Sequence, residues 1–185
     1  MIGPYRIVGY AIVSTEGMIA DSGGTIPAAL RNDADQTFLQ TELDLADVLV
    51  HGRHSSEGGP RAKQRRRVIL TRQISSVAAD PSQPNSVLWN PGGASFEEAV
   101  LKLGVRKGTV AVIGGAEVFG LFLPHYDAFY LTRAAHAQIP GGRPVFPQVN
   151  PLSSPEDLLS EHGLKPTGER EIDPTAGISM TTWIR

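Results

Sequence analysis

The sequence contains no cysteine, which excludes disulfide scaffolds, thiol catalysis and cysteine-bound zinc. No apolar run approaches the roughly 20 residues that cross a bilayer. The N-terminus also lacks a signal-peptide pattern, so we expect no membrane partner and a cytoplasmic location. An excess of one charge is missing too. The 17 Lys and Arg against 19 Asp and Glu leave a net charge of −2, with no overall pull towards nucleic acid. There is no G-x-x-x-x-G-K-[S/T] loop, G-x-G-x-x-G fingerprint, H-E-x-x-H or G-x-S-x-G. His51, His54, His125, His136 and His162 are scattered without metal-ligand spacing, and we expect no metal.

What is present is ordinary in bulk: 185 residues, 41% hydrophobic and 19% charged. We expect one globular domain spanning residues 1–185. The charge is uneven, however. Arg61, Lys63, Arg65, Arg66 and Arg67 cluster, with Arg53 and Arg72 nearby. The strand-like run Val68 to Thr71 bounds the cluster and favours a small anionic ligand over a long polyanion. A solvated loop and an RNA patch, the latter with affinity falling steeply in salt, are the other readings.

Hydrophobic patterning predicts buried strands at Tyr5–Val13, Asp47–His51, Val68–Thr71, Ser86–Trp89, Thr109–Ile113 and Asp127–Thr132. A long loop, Ser14 to Pro27, precedes a helix over about Ala29–Ala46. Ser95 with Glu98 three residues later predicts a capping box, on a helix ending near Gly104. Lys165 to Arg185 reads as two strands around a turn at Asp173-Pro174 to Gly177. Alternation of strand and helix predicts a three-layer α/β/α architecture with a mixed, mainly parallel central sheet and a C-terminal antiparallel hairpin. The most informative stretch is Ile113-Gly114-Gly115-Ala116-Glu117-Val118-Phe119. Here a strand ends in two glycines and a helical pattern starts at once. Such a turn lets a ligand approach the backbone, and a following helix favours a phosphate; a tight turn without ligand is the plain alternative.

Six such signals follow one order. They are Ile26-Pro27 with Asp33 beyond it, Gly52-Arg53-His54-Ser55, Leu70-Thr71-Arg72, the Gly114-Gly115 stretch, Phe122-Leu123-Pro124 with Tyr130-Leu131-Thr132, and Phe146-Pro147. In this order the chain resembles the dihydrofolate reductase family over most of its length. The resemblance implies a dihydrofolate-reductase-like fold, NADPH as cofactor and reduction of dihydrofolate or a related pterin to its tetrahydro form in one-carbon metabolism. It implies Asp33 as the acid that anchors the pterin and promotes proton delivery, with Thr132 bonded to it. Ile12, Ala28, Phe38, Arg65, Ile113 and Phe119 would bind substrate, Arg65 by gripping the glutamate α-carboxylate of folate, with Arg66 and Arg67 as neighbours in the same run. Ala11, Ile19, Arg53, His54, Ser55, Thr71, Arg72, Gly114, Gly115, Ala116, Glu117 and Val118 would bind cofactor, the arginines clamping a 2′-phosphate. A monomer or homodimer is expected.

The pattern departs from the family around the pterin. Ala28 stands where a Trp is usual. The residue four places after Asp33 is Thr37, and the aromatic Phe38 comes one place later. Either that aromatic is displaced by about 100° around the helix, or the register differs and Asp35 is the acid. The loop between Ile19 and Ile26 is slightly long, and Gly141-Gly142-Arg143 replaces a Gly-Asp step. The cofactor half therefore fits better than the substrate half. Two other functions stay open. One is a riboflavin-pathway pyrimidine reductase, although that family usually has Glu-Gly-Gly where this chain has Ile113-Gly114-Gly115. The other is a nucleotide-binding module without catalysis.

Overall fold

The computed structural model describes residues 2–55 and 57–185. β-Branched and apolar segments form the strands β1 (Tyr5–Val13), β3 (Val48–Gly52), β4 (Arg67–Leu70), β6 (Ser86–Trp89), β7 (Gly108–Val112) and β8 (Ala128–Ala134), with the short β2 (Met18–Ala20) and β5 (Val77–Ala79) between them. Among the described residues four α-helices accompany them: α1 (Asp33–Leu45), α2 (Phe96–Lys102), α3 (Ala116–Phe122) and α4 (Pro155–Glu161). The chain closes with the two-residue β9 (Arg143–Pro144), then β10 (Lys165–Asp173) and β11 (Ile178–Ile184).

Nine strands join in the order β10-β11-β8-β1-β7-β3-β4-β6-β5, while β2 and β9 pair separately. Every neighbour pair from β8 to β6 is parallel. The two ends are antiparallel, through β5 on β6 and through the β10–β11 hairpin on β8. This is the expected mixed, mainly parallel sheet. Strand alternation sends the two side-chain sets to opposite layers. Ile7, Val50, Val112 and Phe129 join Phe96, Phe122 and Leu159 in the core shared with α2, α3 and α4. Val8, Tyr10, Leu49 and Ala111 pack against Leu43, Phe38 and Leu39 of α1. A side chain at Gly9 would overlap the Phe129 ring, so β1 and β8 approach closely only because that position is bare.

The helix boundaries depart from expectation in one place that matters. Ala28–Leu30 forms a separate 3-10 turn, and α1 begins at Asp33 rather than Ala29. Asn32 is the reason: its side-chain oxygen accepts hydrogen bonds from the backbone N–H groups of Ala34 and Asp35 at 3.0 and 3.1 Å, satisfying donors that a helix start leaves free. The Ser95–Glu98 capping box forms as read. A second capping box, Ser154 with Asp157, starts α4 inside a stretch whose prolines and glycines read as loop. No helix among the described residues is long and apolar enough to cross a membrane.

Candidate active site

Because β1, β3, β4 and β7 run parallel, their C-terminal ends meet along one edge, where an open α/β sheet places its ligand crevice. Gly52 at the end of β3 donates its N–H to the Gly114 carbonyl after β7 at 2.7 Å, which ties two of the predicted segments together. The Gly114–Gly115 peptide is cis, and Gly114 has φ +100. A Cβ there would lie 2.7 Å from the Phe119 ring, so the turn requires glycine by conformation and by contact. The Ser55 hydroxyl faces Gly115. Thr71 is buried at the end of β4 and accepts from the Gln73 N–H at 3.2 Å. Arg53 and His54 are exposed at the same edge. Arg72 pairs with Glu117 at 3.3 Å, both well exposed. Between them lies a cavity of about 340 Å³ with Leu70 and Leu121 as its apolar walls and Arg72, Glu117 and Asn90 as its polar ones.

On the α1 side the carboxyl that faces β8 is that of Asp35. Thr132, buried in β8, donates from its hydroxyl to Asp35 Oδ1 at 2.6 Å. Burial pushes the Asp35 carboxyl above the ordinary aspartate range, and the Thr132 hydrogen bond only partly opposes this. Asp33 is exposed at the first position of the helix, so the structure corrects that placement. Capping by Asn32 starts the helix four residues later than the pattern suggested, and Asp35 rather than Asp33 then turns towards β8. The sequence had offered Asp35 as the rival.

Several other residues are placed differently from expectation. Ala28 is exposed on the 3-10 turn, while Ile12 packs with Leu30, Ala137 and Ile139. Phe38 lies under α1 with its ring against Tyr130 and Tyr10, and Tyr10 stacks on Tyr130 at 5.2 Å and 9°. Ile113 packs into the same layer. Phe119 and Val118 are buried in the opposite core. The structure therefore does not bring Phe119 together with the Asp35 group, while the buried Val118 side chain lies beside Gly52 at the edge. Ala11 and Ile19 are half-buried against that second core, and Ala116 is half-buried at the start of α3. Sequence reasoning gave Tyr10 and Tyr130 no role in the site, and periodicity alone cannot separate a pocket wall from core.

Arg65 is buried, and its guanidinium is engaged within the chain. It donates to Asp44 from Nε at 3.0 Å and from Nη2 at 2.6 Å, and to Gln40 Oε1 from Nη2 at 2.7 Å. Nη1 donates to Glu57 and to the Gly58 carbonyl, each at 3.4 Å. Arg67, also buried, binds the same Glu57 and the Ala62 carbonyl.

A family model described as dihydrofolate reductase matches residues 7–156. The chain belongs to the dihydrofolate reductase family. Searching curated proteins by sequence finds no match. Among solved structures, a dihydrofolate reductase from Enterococcus faecalis complexed with NADP(H) superposes with TM-score 0.67 at 16% identity, covering 100% of this chain and 99% of that one. A diaminohydroxyphosphoribosylaminopyrimidine deaminase/5-amino-6-(5-phosphoribosylamino)uracil reductase from Thermotoga maritima gives 0.66 at 16%, covering 98% of this chain and 56% of that one. At such identity these two speak for the fold.

Proposed function

We propose that this chain is an NADPH-dependent reductase acting on the pyrimidine-fused ring of a pterin, reduction of dihydrofolate to tetrahydrofolate being the reaction of this type that the family name supplies. The buried Thr132–Asp35 pair carries the reading. With Oδ1 held by Thr132, Oδ2 is left to accept from a 2-amino-pyrimidine edge, a charge-assisted contact that fixes ring orientation. Reduction of a ring C=N bond adds a hydride to carbon and a proton to nitrogen. Burial raises the Asp35 pKa and so keeps a proton available at that edge to higher pH than a surface aspartate would.

The opposite half fits a dinucleotide. Gly115 leaves bare backbone towards Ser55 where a diphosphate would sit, and Ser55, Thr71 and Arg53 would hold it. The cavity beside Arg72 would take an adenosine with a 2′-phosphate. When bound, NADPH would supply the hydride. The chain's own residues would orient the acceptor ring, with Asp35 placed to pass the proton to it. A riboflavin-pathway reductase is the second reading, favoured by the near-equal superposition on the Thermotoga maritima enzyme.

The test is loss of NADPH absorbance on adding 7,8-dihydropterin, 7,8-dihydrofolate or an aminopyrimidine substrate. Asp35→Asn should lower turnover by about 10²–10⁴-fold, the range for losing a general acid, whereas Asp33→Asn should leave it unchanged. Full activity in Asp35→Asn would sink the assignment. Activity on the aminopyrimidine alone would establish the second reading.

A further inference from the structure

We infer that Asp44 is a specificity-determining residue: it closes the Arg65 guanidinium from within, so that the substrate of this site is a reducible ring whose substituent carries no carboxylate at that position. The inference rests on the proposed reductase reading for its substrate class, but its structural core stands on a count of donors. A guanidinium has five N–H donors. Those of Arg65 are directed to Asp44 twice, and to Gln40, Glu57 and the Gly58 carbonyl. None remains for a ligand. The charge is met as well, since Arg65 and Arg67 face Asp44 and Glu57. An arriving carboxylate would therefore meet the Asp44 carboxylate first. It would have to displace Asp44, whose Oδ1 would lose both of its Arg65 donors.

The backbone on either side supports the same conclusion. Gln40 and Asp44 lie one turn apart on α1, so both reach the same neighbour. The loop after β3 lies directly on them: a Cβ at Gly59 would collide with the Gln40 side chain. That loop also supplies Glu57 and the Gly58 carbonyl. Helix and loop are thus stitched together around the Arg65 guanidinium. A compact ring needs only the Asp35–Thr132 end of the site, which this closure does not touch.

The probe is N-(4-aminobenzoyl)-L-glutamate, titrated calorimetrically beside its uncharged diamide into the full chain. The parent should bind the diacid no better than the diamide. Asp44→Asn should bind the diacid at least about tenfold tighter than the parent does, the ratio of one charge-assisted pair, with the diamide unchanged. Adding Arg65→Leu should abolish that gain, an outcome that a merely structural role for Asp44 would not produce. A parent that prefers the diacid tenfold overturns the inference, as does a folded Asp44→Asn without gain. If Asp44→Asn fails to fold, the diacid-to-diamide ratio of the parent decides alone. In parallel, kcat/KM should be at least as high on 7,8-dihydropterin as on 7,8-dihydrofolate. Turnover on neither would overturn the reductase reading, while the binding ratio still judges the closure.

Discussion

Asp35 carries opposite consequences for stability and for chemistry. A carboxyl whose folded pKa lies above its unfolded value still holds a proton after the unfolded chain has released its own. The stabilisation linked to that proton is fully present below the ordinary aspartate value of 3.8. It is lost as pH rises from there through the folded-state pKa. Above its folded-state pKa the parent bears a buried carboxylate that Asp35→Asn removes, while the amide oxygen can still accept from Thr132. Once pH has passed that pKa the variant should melt a few degrees above the parent, since about 1 kcal/mol corresponds to ~2–4 °C in a chain of this size. The gap should narrow below that aspartate value. A difference in melting temperature independent of pH would place the effect in packing instead. Asp33→Asn should leave the melting temperature unchanged, because Asp33 is exposed.

The elements show why some of the site was readable and some was not. The long strands announced themselves by β-branched runs. Gly52-Arg53, Thr71-Arg72 and Gly114-Gly115 were legible because each follows such a strand directly. β2 and β9 were not, since strands of three and two residues exist only through their mutual pairing. The start of α1 was signalled by Asn32, a strong N-cap residue, rather than by hydrophobic period, and that cap is what turns Asp35 rather than Asp33 towards β8. The Ser154–Asp157 box was equally visible and was hidden by the surrounding prolines. Asn32 also donates from Nδ2 to Asp173 of β10 at 2.8 Å, which holds the Asp173 carboxyl below its ordinary range. Asn32→Ala should therefore cost about 1 kcal/mol of stability by denaturant unfolding, from the cap alone. It should also lower turnover, because the first turn positions Asp35. Unchanged turnover with the full stability loss would show that Thr132 holds Asp35 without the cap.

Across the molecule, the sheet divides the chemistry between one edge that is local in sequence and one layer that is not. The closure of Arg65 joins Gln40, Asp44, Glu57 and Gly58 from α1 and the loop after β3. Helical spacing links Gln40 to Asp44, but no spacing rule links α1 to that loop or to Arg65, so the sequence showed an arginine without its partners. The cofactor edge is simpler, and there the telling contact is Glu117 on Arg72. A carboxylate 3.3 Å from the arginine competes with a 2′-phosphate for the same donors and repels it. Its exposure keeps that competition modest. A ligand that binds only the folded chain stabilises the whole molecule, by about 2.7 kcal/mol at a hundredfold excess over its dissociation constant. NADPH at that excess should therefore raise the melting temperature by roughly 5–10 °C. At a fixed NADPH concentration, Glu117→Gln should raise it further and Arg72→Leu should raise it less, with NADH nearly indifferent to either change. If Glu117→Gln instead lowers the NADPH shift, Glu117 is holding Arg72 in place for the phosphate, and the two act as one clamp.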